Sequence, residues 1–244
     1  MKFEAKNRKR LLLTTLVWIL AAVLTWKCSG FPARWDRIGL ALFLVMAWLA
    51  ESDTVRIPQL GLSLSLSFSV YMAALLVFGP LPAAMITVGA VALVGLRKGF
   101  PVVTYLFNVA QVYFSALATG ATLVWAGWLP VESASLRSVG TALGVAVVCS
   151  FVLNTVFVDA YLATRSPSFW AGFRSVLRID VHWSLISHAI TGTLGVLMYY
   201  VYQTPLGLAG IVLLLGSLVA VRVTVRQNAQ LREAHLETMR ILSE

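Results

Sequence analysis

Residues 57–96 read IPQLGLSLSLSFSVYMAALLVFGPLPAAMITVGAVALVGL and contain no Asp, Glu, Lys or Arg. A helix that crosses a bilayer needs about 20 consecutive, mostly apolar residues. The stretch is therefore long enough for two passes, and Gly79-Pro80-Leu81-Pro82 near its middle predicts a tight turn between them. This pattern predicts a helical hairpin embedded in a membrane.

The rest of the chain has the same character. Its 244 residues are 59% hydrophobic and 12% charged, whereas soluble domains are about half apolar and a quarter charged. A second turn, at Gln203-Thr204-Pro205, divides another long uncharged run. We therefore predict an all-α, polytopic transmembrane bundle of about eight spans (7–8), with the lipid bilayer as its surroundings. The predicted spans are 11–26, 37–51, 62–78, 81–96, 102–128, 138–161, 183–202 and 205–221.

The basic residues predict the orientation of this bundle. Positively charged residues concentrate in the cytoplasmic segments of membrane proteins. If the N-terminus is cytoplasmic, all 19 Lys and Arg residues fall on the inside except Lys27, Arg34, Arg37 and Arg137. Both termini are then cytoplasmic. The same asymmetry explains the net charge of +9 without a nucleic-acid partner, because the sequence shows no basic stripe on a soluble module.

Three segments differ from plain spans. Residues 62–69 alternate Leu and Ser, which fits either an extended segment enclosed by protein or the polar-faced start of a helix. Residues 166–182 place aromatic and aliphatic side chains opposite Arg174 and Arg178, which predicts an amphipathic helix in the cytoplasmic interface. Residues 222–244 lack Gly and Pro and predict a cytoplasmic exit helix that follows a membrane domain at 1–221.

Polar side chains inside spans are the candidate ligand-binding residues. Such side chains are energetically costly in a membrane, so their presence there indicates a function. Asn108, Gln111 and Ser115 are spaced so that they share one face of the fifth predicted span. Asn154 and His188 lie on the sixth and seventh spans. The candidates are Asn108, Gln111, Ser115, Asn154 and His188. The alternative is that such residues join helices to one another, with an average contribution of about 0.6 kcal/mol each.

No catalytic or metal motif accompanies these residues. The sequence contains no phosphate-binding loop, no Gly-x-Ser-x-Gly and no His-Glu-x-x-His, and Cys28 and Cys149 have no metal-site spacing. We therefore expect no enzyme activity from this chain and no cofactor. Asp159 is expected at the cytoplasmic interface. The glycines of 192–195 and of 140–144 are expected to allow close helix packing.

Four stretches resemble the N-terminal membrane region of bacterial HD-GYP, and some GGDEF, cyclic-di-GMP signalling proteins. They are 64–80 (LSLSFSVYMAALLVFGP), 106–111 (LFNVAQ), 152–155 (VLNT) and 231–244 (LREAHLETMRILSE), and the resemblance covers about 37–244. It implies a bacterial cytoplasmic (inner) membrane protein whose exit helix leads into a cytoplasmic phosphohydrolase domain. The His-Asp pair and the Gly-Tyr-Pro motif of that domain are absent from this chain. It is then either a trimmed piece or a stand-alone module.

A second stretch, Ser67–Ala90, resembles the small-residue helical hairpin of energy-coupling-factor S components, which are vitamin-binding membrane subunits. Together these resemblances give two functional hypotheses. The first is a sensory or input module, expected as a homodimer, which passes a small-molecule, lipid or membrane signal to a cytoplasmic output domain or protein. The alternative is an S-component-like protein that binds or transports a small molecule.

Overall fold

The structure is a computed structural model that describes residues 2–52, 55–57, 62–64, 66–129, 136–164, 166, 168–214, 216, 217, 219, 220, 223 and 227. Within these residues the chain forms helices and one short hairpin. The elements are α1 (Lys2–Cys28), α2 (Arg37–Ser52), β1 (Val55–Ile57), β2 (Leu62–Leu64), α3 (Ser67–Phe78), α4 (Pro80–Lys98), α5 (Val102–Trp125), α6 (Leu136–Ala163), α7 (Phe169–Gln203) and α8 (207–214). The predicted exit helix, 222–244, lies outside the described residues apart from 223 and 227.

The helical class is confirmed. Among the described residues, five helices are long and apolar enough to cross a membrane: Arg8–Cys28, Pro80–Lys98, Val102–Trp125, Val139–Ala163 and Ser184–Gln203. The chain is a multi-pass helical membrane protein.

The predicted count of about eight spans is not shown. α2 has 16 residues and α3 has 12, so at 1.5 Å per residue they are about 24 and 18 Å long. Both are shorter than the bilayer core of about 30 Å. The predicted eighth span, 205–221, is described without interruption only as far as residue 214.

The turn predicted at Gly79-Pro80 is confirmed. α3 ends at Phe78 and α4 begins at Pro80, with Gly79 at φ 89° between them. An L-amino acid with a side chain rarely adopts that φ, which is why glycine occupies the position. Pro80 suits the first position of a helix because the missing N–H has no partner there in any case. The hairpin that these two residues create positions one wall of the cavity described below.

The segment 62–69, with its Leu-Ser alternation, contains both predicted structures: an extended segment and the start of a helix. Residues Leu62–Leu64 form β2 and pair antiparallel with β1, with Ser63 opposite Arg56. α3 then begins at Ser67. The pairing supplies backbone partners to the extended part, and Ser67 and Ser69 are buried in the helical part.

The predicted interfacial helix and the seventh span are one helix. α7 runs without a break over 35 residues from Phe169 to Gln203, about 52 Å at 1.5 Å per residue. It contains no Pro, the residue that most strongly interrupts a helix. It ends just before Pro205, in agreement with the predicted turn, and α8 follows at residue 207.

The largest cluster of buried hydrophobic side chains is built around α3. α3 packs against α7, α4 and α2, while α6 packs against α5 and α7, and α1 lies on α5. Phe43 of α2 contacts Phe78 of α3 edge-to-face, with 5.1 Å between ring centroids. Met198 of α7 and Ile211 of α8 are fully buried in the same cluster. The 12-residue helix α3 is therefore an internal element of the bundle.

Candidate ligand-binding cavity

A cavity of about 400 Å³ lies between the helices. α3, α4, α5, α6 and α7 all contribute to its wall, and α2 adds Glu51 from its last turn. The volume falls at the lower end of the 300–1,000 Å³ typical of small-molecule sites. Polar side chains form a large part of the lining: Glu51, Ser67, Tyr71, Thr87, Gln111, Ser115, Thr119, Ser150, Asn154, Thr155, Asp159, Ser184, Ser187, His188 and Thr191.

Four of the five predicted ligand-binding residues meet at this cavity. Gln111 and Ser115 come from α5, Asn154 from α6 and His188 from α7, and all four line it. The fifth, Asn108, is half-buried one turn before Gln111 and does not line the cavity. The first residue of α5 that lines the cavity is Gln111. Whether the four residues bind a ligand stays a prediction.

An amide pair joins α5 to α6 at the cavity wall. Gln111 is 2% exposed. Its Nε2 donates to Oδ1 of Asn154 at 2.9 Å and to Oγ of Ser115 at 3.3 Å. A Gln side chain has two N–H donors and one carbonyl acceptor, so these bonds use both donors. Within the described residues, Gln111 Oε1 and Asn154 Nδ2 make no hydrogen bond, which leaves one acceptor and one donor group for a ligand.

His188 has a fixed ring orientation. Its Nδ1 donates to the Ser184 carbonyl oxygen at 2.8 Å, because a carbonyl oxygen can only accept. In neutral imidazole Nε2 is then an acceptor. The ring packs against Phe68 of α3 and Phe151 of α6, with centroids 4.9 and 5.8 Å away. These contacts hold the ring at the meeting point of three helices.

Two acidic residues also line the cavity, and neither is among the five predicted ligand-binding residues. Asp159, which was expected at the interface, is 4% exposed on α6, one helical turn from the lining residue Thr155. The spacing of four between them was a usable signal. Glu51 accepts a hydrogen bond from the Tyr71 hydroxyl at 3.3 Å. Its position depends on how α2 packs against α3, which sequence spacing does not reveal.

Three buried threonines of the cavity differ in how their hydroxyls are hydrogen-bonded. Thr87 and Thr191 each donate to the carbonyl oxygen four residues earlier, at 2.8 and 2.6 Å. This is the common way in which a helix accommodates a buried hydroxyl. Thr119 is 3% exposed, yet its Oγ1 has no hydrogen-bond partner in the part of the chain that the structure describes. A buried polar atom without a partner is rare in proteins and calls for an explanation.

Close helix packing around the cavity depends on glycine. A Cβ added at Gly195 would lie 2.6 Å from Cβ of Met72, and one at Gly192 would lie 2.7 Å from Cγ2 of Val147. The prediction for 192–195 is therefore confirmed. The prediction for Gly140 and Gly144 is wrong, because a Cβ at either position would meet no described atom within 4 Å. Sequence spacing alone does not indicate which face of α6 is turned outward.

Neither a metal cluster nor a disulfide is found among the described residues. No group of three or more His, Cys, Asp or Glu side chains is placed to hold a metal ion there, and Cys28 and Cys149 are free thiols. The cavity therefore offers hydrogen-bonding, acidic and aromatic groups to a ligand. No known protein family, no curated protein and no solved structure matches this chain.

Proposed function

We propose that the protein is a membrane sensory or input module whose cavity binds a small molecule. The observation that carries this proposal is the meeting of Gln111, Asn154 and His188, from three helices, at one cavity. Polar groups that converge on one cavity are typical of ligand sites. The resemblance to the membrane region of HD-GYP and GGDEF proteins supports a cytoplasmic output domain or protein as the partner and the bacterial inner membrane as the location.

The packing of α3 connects the cavity with α8, the described start of the predicted eighth span. Met72 lines the cavity and belongs to the same buried cluster as Met198 of α7 and Ile211 of α8. A ligand that favours one arrangement of α3 against α7 would change the packing of α8 through this cluster. The ligand can shift that equilibrium only by the difference between its affinities for the two arrangements.

The proposal is tested in the source bacterium by measuring intracellular cyclic-di-GMP. We expect deletion of the gene to change its level, and Gln111→Leu to remove the response to growth conditions while the protein is still present in the membrane. Asn108→Leu is the matched control, because Asn108 lies on the same helix but does not line the cavity. An unchanged cyclic-di-GMP level in the deletion strain under every growth condition would refute the signalling role.

The alternative is S-component-like binding or transport, and one observation favours it. The stretch that resembles the S-component hairpin forms a continuous wall of the cavity, with Tyr71 and Met72 on α3 and Ala83 and Thr87 on α4. Transport requires the membrane helices but no exit helix. A protein truncated after residue 221 that still drives solute uptake by proteoliposomes would favour this alternative over the sensory role.

A further inference from the structure

Part of the cavity wall combines a carboxylate with aromatic rings. Glu51 of α2 and Phe68 and Tyr71 of α3 line it, and the Tyr71 hydroxyl donates to Oε2 of Glu51 at 3.3 Å. Phe68 and Tyr71 are three residues apart and therefore share a face of α3. The carboxylate and the two rings thus belong to one continuous part of the wall.

The described residues do not neutralise Glu51. The Tyr71 hydroxyl satisfies one of its acceptor positions, but it is an uncharged donor. None of the described residues that line the cavity is Lys or Arg. Glu51 is half-buried, and at the wall of a cavity a carboxylate attracts a cation more strongly than in bulk water. A positively charged ligand group would supply the compensation.

The aromatic rings indicate the kind of cation. The faces of Phe and Tyr rings attract ammonium groups, and aromatic cages are the usual recognition sites of alkylated ammonium ions. Elsewhere in the cavity wall, Thr119 Oγ1 is buried and has no partner within the described residues, and Gln111 and Asn154 retain free amide groups. A ligand with a polar group remote from its charge would satisfy them.

From these observations we infer that the cavity binds a compact organic cation, with its ammonium group between Glu51, Phe68 and Tyr71. The polar part of the ligand hydrogen-bonds to Thr119 and to the amide pair of Gln111 and Asn154. The volume of about 400 Å³ accommodates such a ligand. This inference rests on the proposed function, since it names the ligand class of the same cavity.

The test measures the melting temperature of the purified full chain in lipid nanodiscs. The cations are ethanolamine, choline and tetramethylammonium chlorides, each titrated at millimolar concentrations. The comparison solutes are neohexyl alcohol, which is the uncharged isostere of choline, and sodium chloride at equal ionic strength. We expect at least one organic cation to raise the melting temperature saturably, and the comparison solutes to leave it unchanged.

Two variants and a control locate the effect. Glu51→Gln keeps the shape and the Tyr71 hydrogen bond but removes the charge, so we expect the apparent affinity for the cation to fall at least tenfold. Phe68→Leu keeps the charge but removes a ring, so we expect a fall of several-fold. Asp36→Asn, at an exposed carboxylate before α2, should bind as the parent protein does.

Several outcomes would overturn the inference: an equal shift with neohexyl alcohol or sodium chloride, unchanged cation affinity in Glu51→Gln, or no shift with any of the three cations. Failure of the ligand class is distinguishable from failure of the proposed function. If neohexyl alcohol stabilises the protein and Gln111→Leu abolishes that stabilisation, the cavity binds a ligand that is not an organic cation. If the purified protein binds the cation but deletion of the gene leaves the cyclic-di-GMP level unchanged, the ligand class stands and the signalling role is refuted.

Discussion

Gln111 of α5 donates from Nε2 to Oδ1 of Asn154 of α6 at 2.9 Å, and this bond joins two neighbouring helices at the cavity wall. In membrane proteins, interhelical hydrogen bonds between side chains contribute about 0.6 kcal/mol on average and at most about 1.7. We therefore predict a coupling free energy of this size between Gln111→Leu and Asn154→Leu in a double-mutant cycle. The measurement is the free energy of unfolding in mixed detergent micelles.

The matched cycle combines Asn108→Leu with Asn154→Leu, because no hydrogen bond joins those two residues in the structure. Its coupling should be smaller, as expected for a pair that shares no hydrogen bond. Equal coupling in the two cycles would mean that the Gln111–Asn154 bond contributes nothing specific to stability.

Gly195 and Gly144 are predicted to respond in opposite directions to alanine. At Gly195 the new Cβ would lie 2.6 Å from Met72 Cβ and 2.7 Å from the Ser69 carbonyl oxygen, so α3 and α7 must separate. Overpacking of this kind destabilises by about 1–3 kcal/mol. At Gly144 nothing described lies within 4 Å, so alanine should be neutral or stabilise by up to about 1 kcal/mol through helix propensity. Thermal unfolding in nanodiscs measures both effects, and a stable Gly195→Ala would contradict the packing of α3 on α7.

Thr119 and Thr87 provide a similar contrast for a buried hydroxyl. Thr119→Val removes a hydroxyl that has no partner within the described residues, so the ligand-free protein should keep or gain stability. Thr87→Val removes the bond from Oγ1 to the Ala83 carbonyl oxygen at 2.8 Å, so it should lose about 0.5–1.5 kcal/mol. Chemical denaturation without added ligand compares the two. A larger loss for Thr119→Val than for Thr87→Val would show that the Thr119 hydroxyl is satisfied.

The sequence predicted the helical elements well where local chemistry decides them. Gly79 and Pro80 restrict backbone conformation at a single point, so the end of α3 and the start of α4 could be placed to within two residues. The same reasoning predicted separate helices at 166–182 and 183–202, because charge and hydrophobicity change between these two segments. Such a change alters the surroundings of a helix without breaking its backbone hydrogen bonds, and α7 therefore continues through it.

The cavity was predictable only in part. The spacing of Gln111 and Ser115 identifies a polar face, but the rotation and depth of each helix decide which part of that face meets the others. Asn108 lies beyond the cavity for this reason. Glu51 lies near the end of a short helix, where an acidic residue normally faces water or headgroups. Only the packing of α2 against α3 brings it to Tyr71, and that packing is a tertiary property.

The orientation of the bundle in the membrane gives the last prediction. With a cytoplasmic N-terminus, the segment between α1 and α2 lies outside and the segment between α4 and α5 lies inside, where Arg97 and Lys98 satisfy the positive-inside rule. In a background with alanine at the two native cysteines, a membrane-impermeant maleimide should label Ser29→Cys in intact cells. The same reagent should label Lys98→Cys only after the cells are permeabilised. Labelling of Lys98→Cys but not of Ser29→Cys in intact cells would reverse the topology and remove any cytoplasmic output from the proposal.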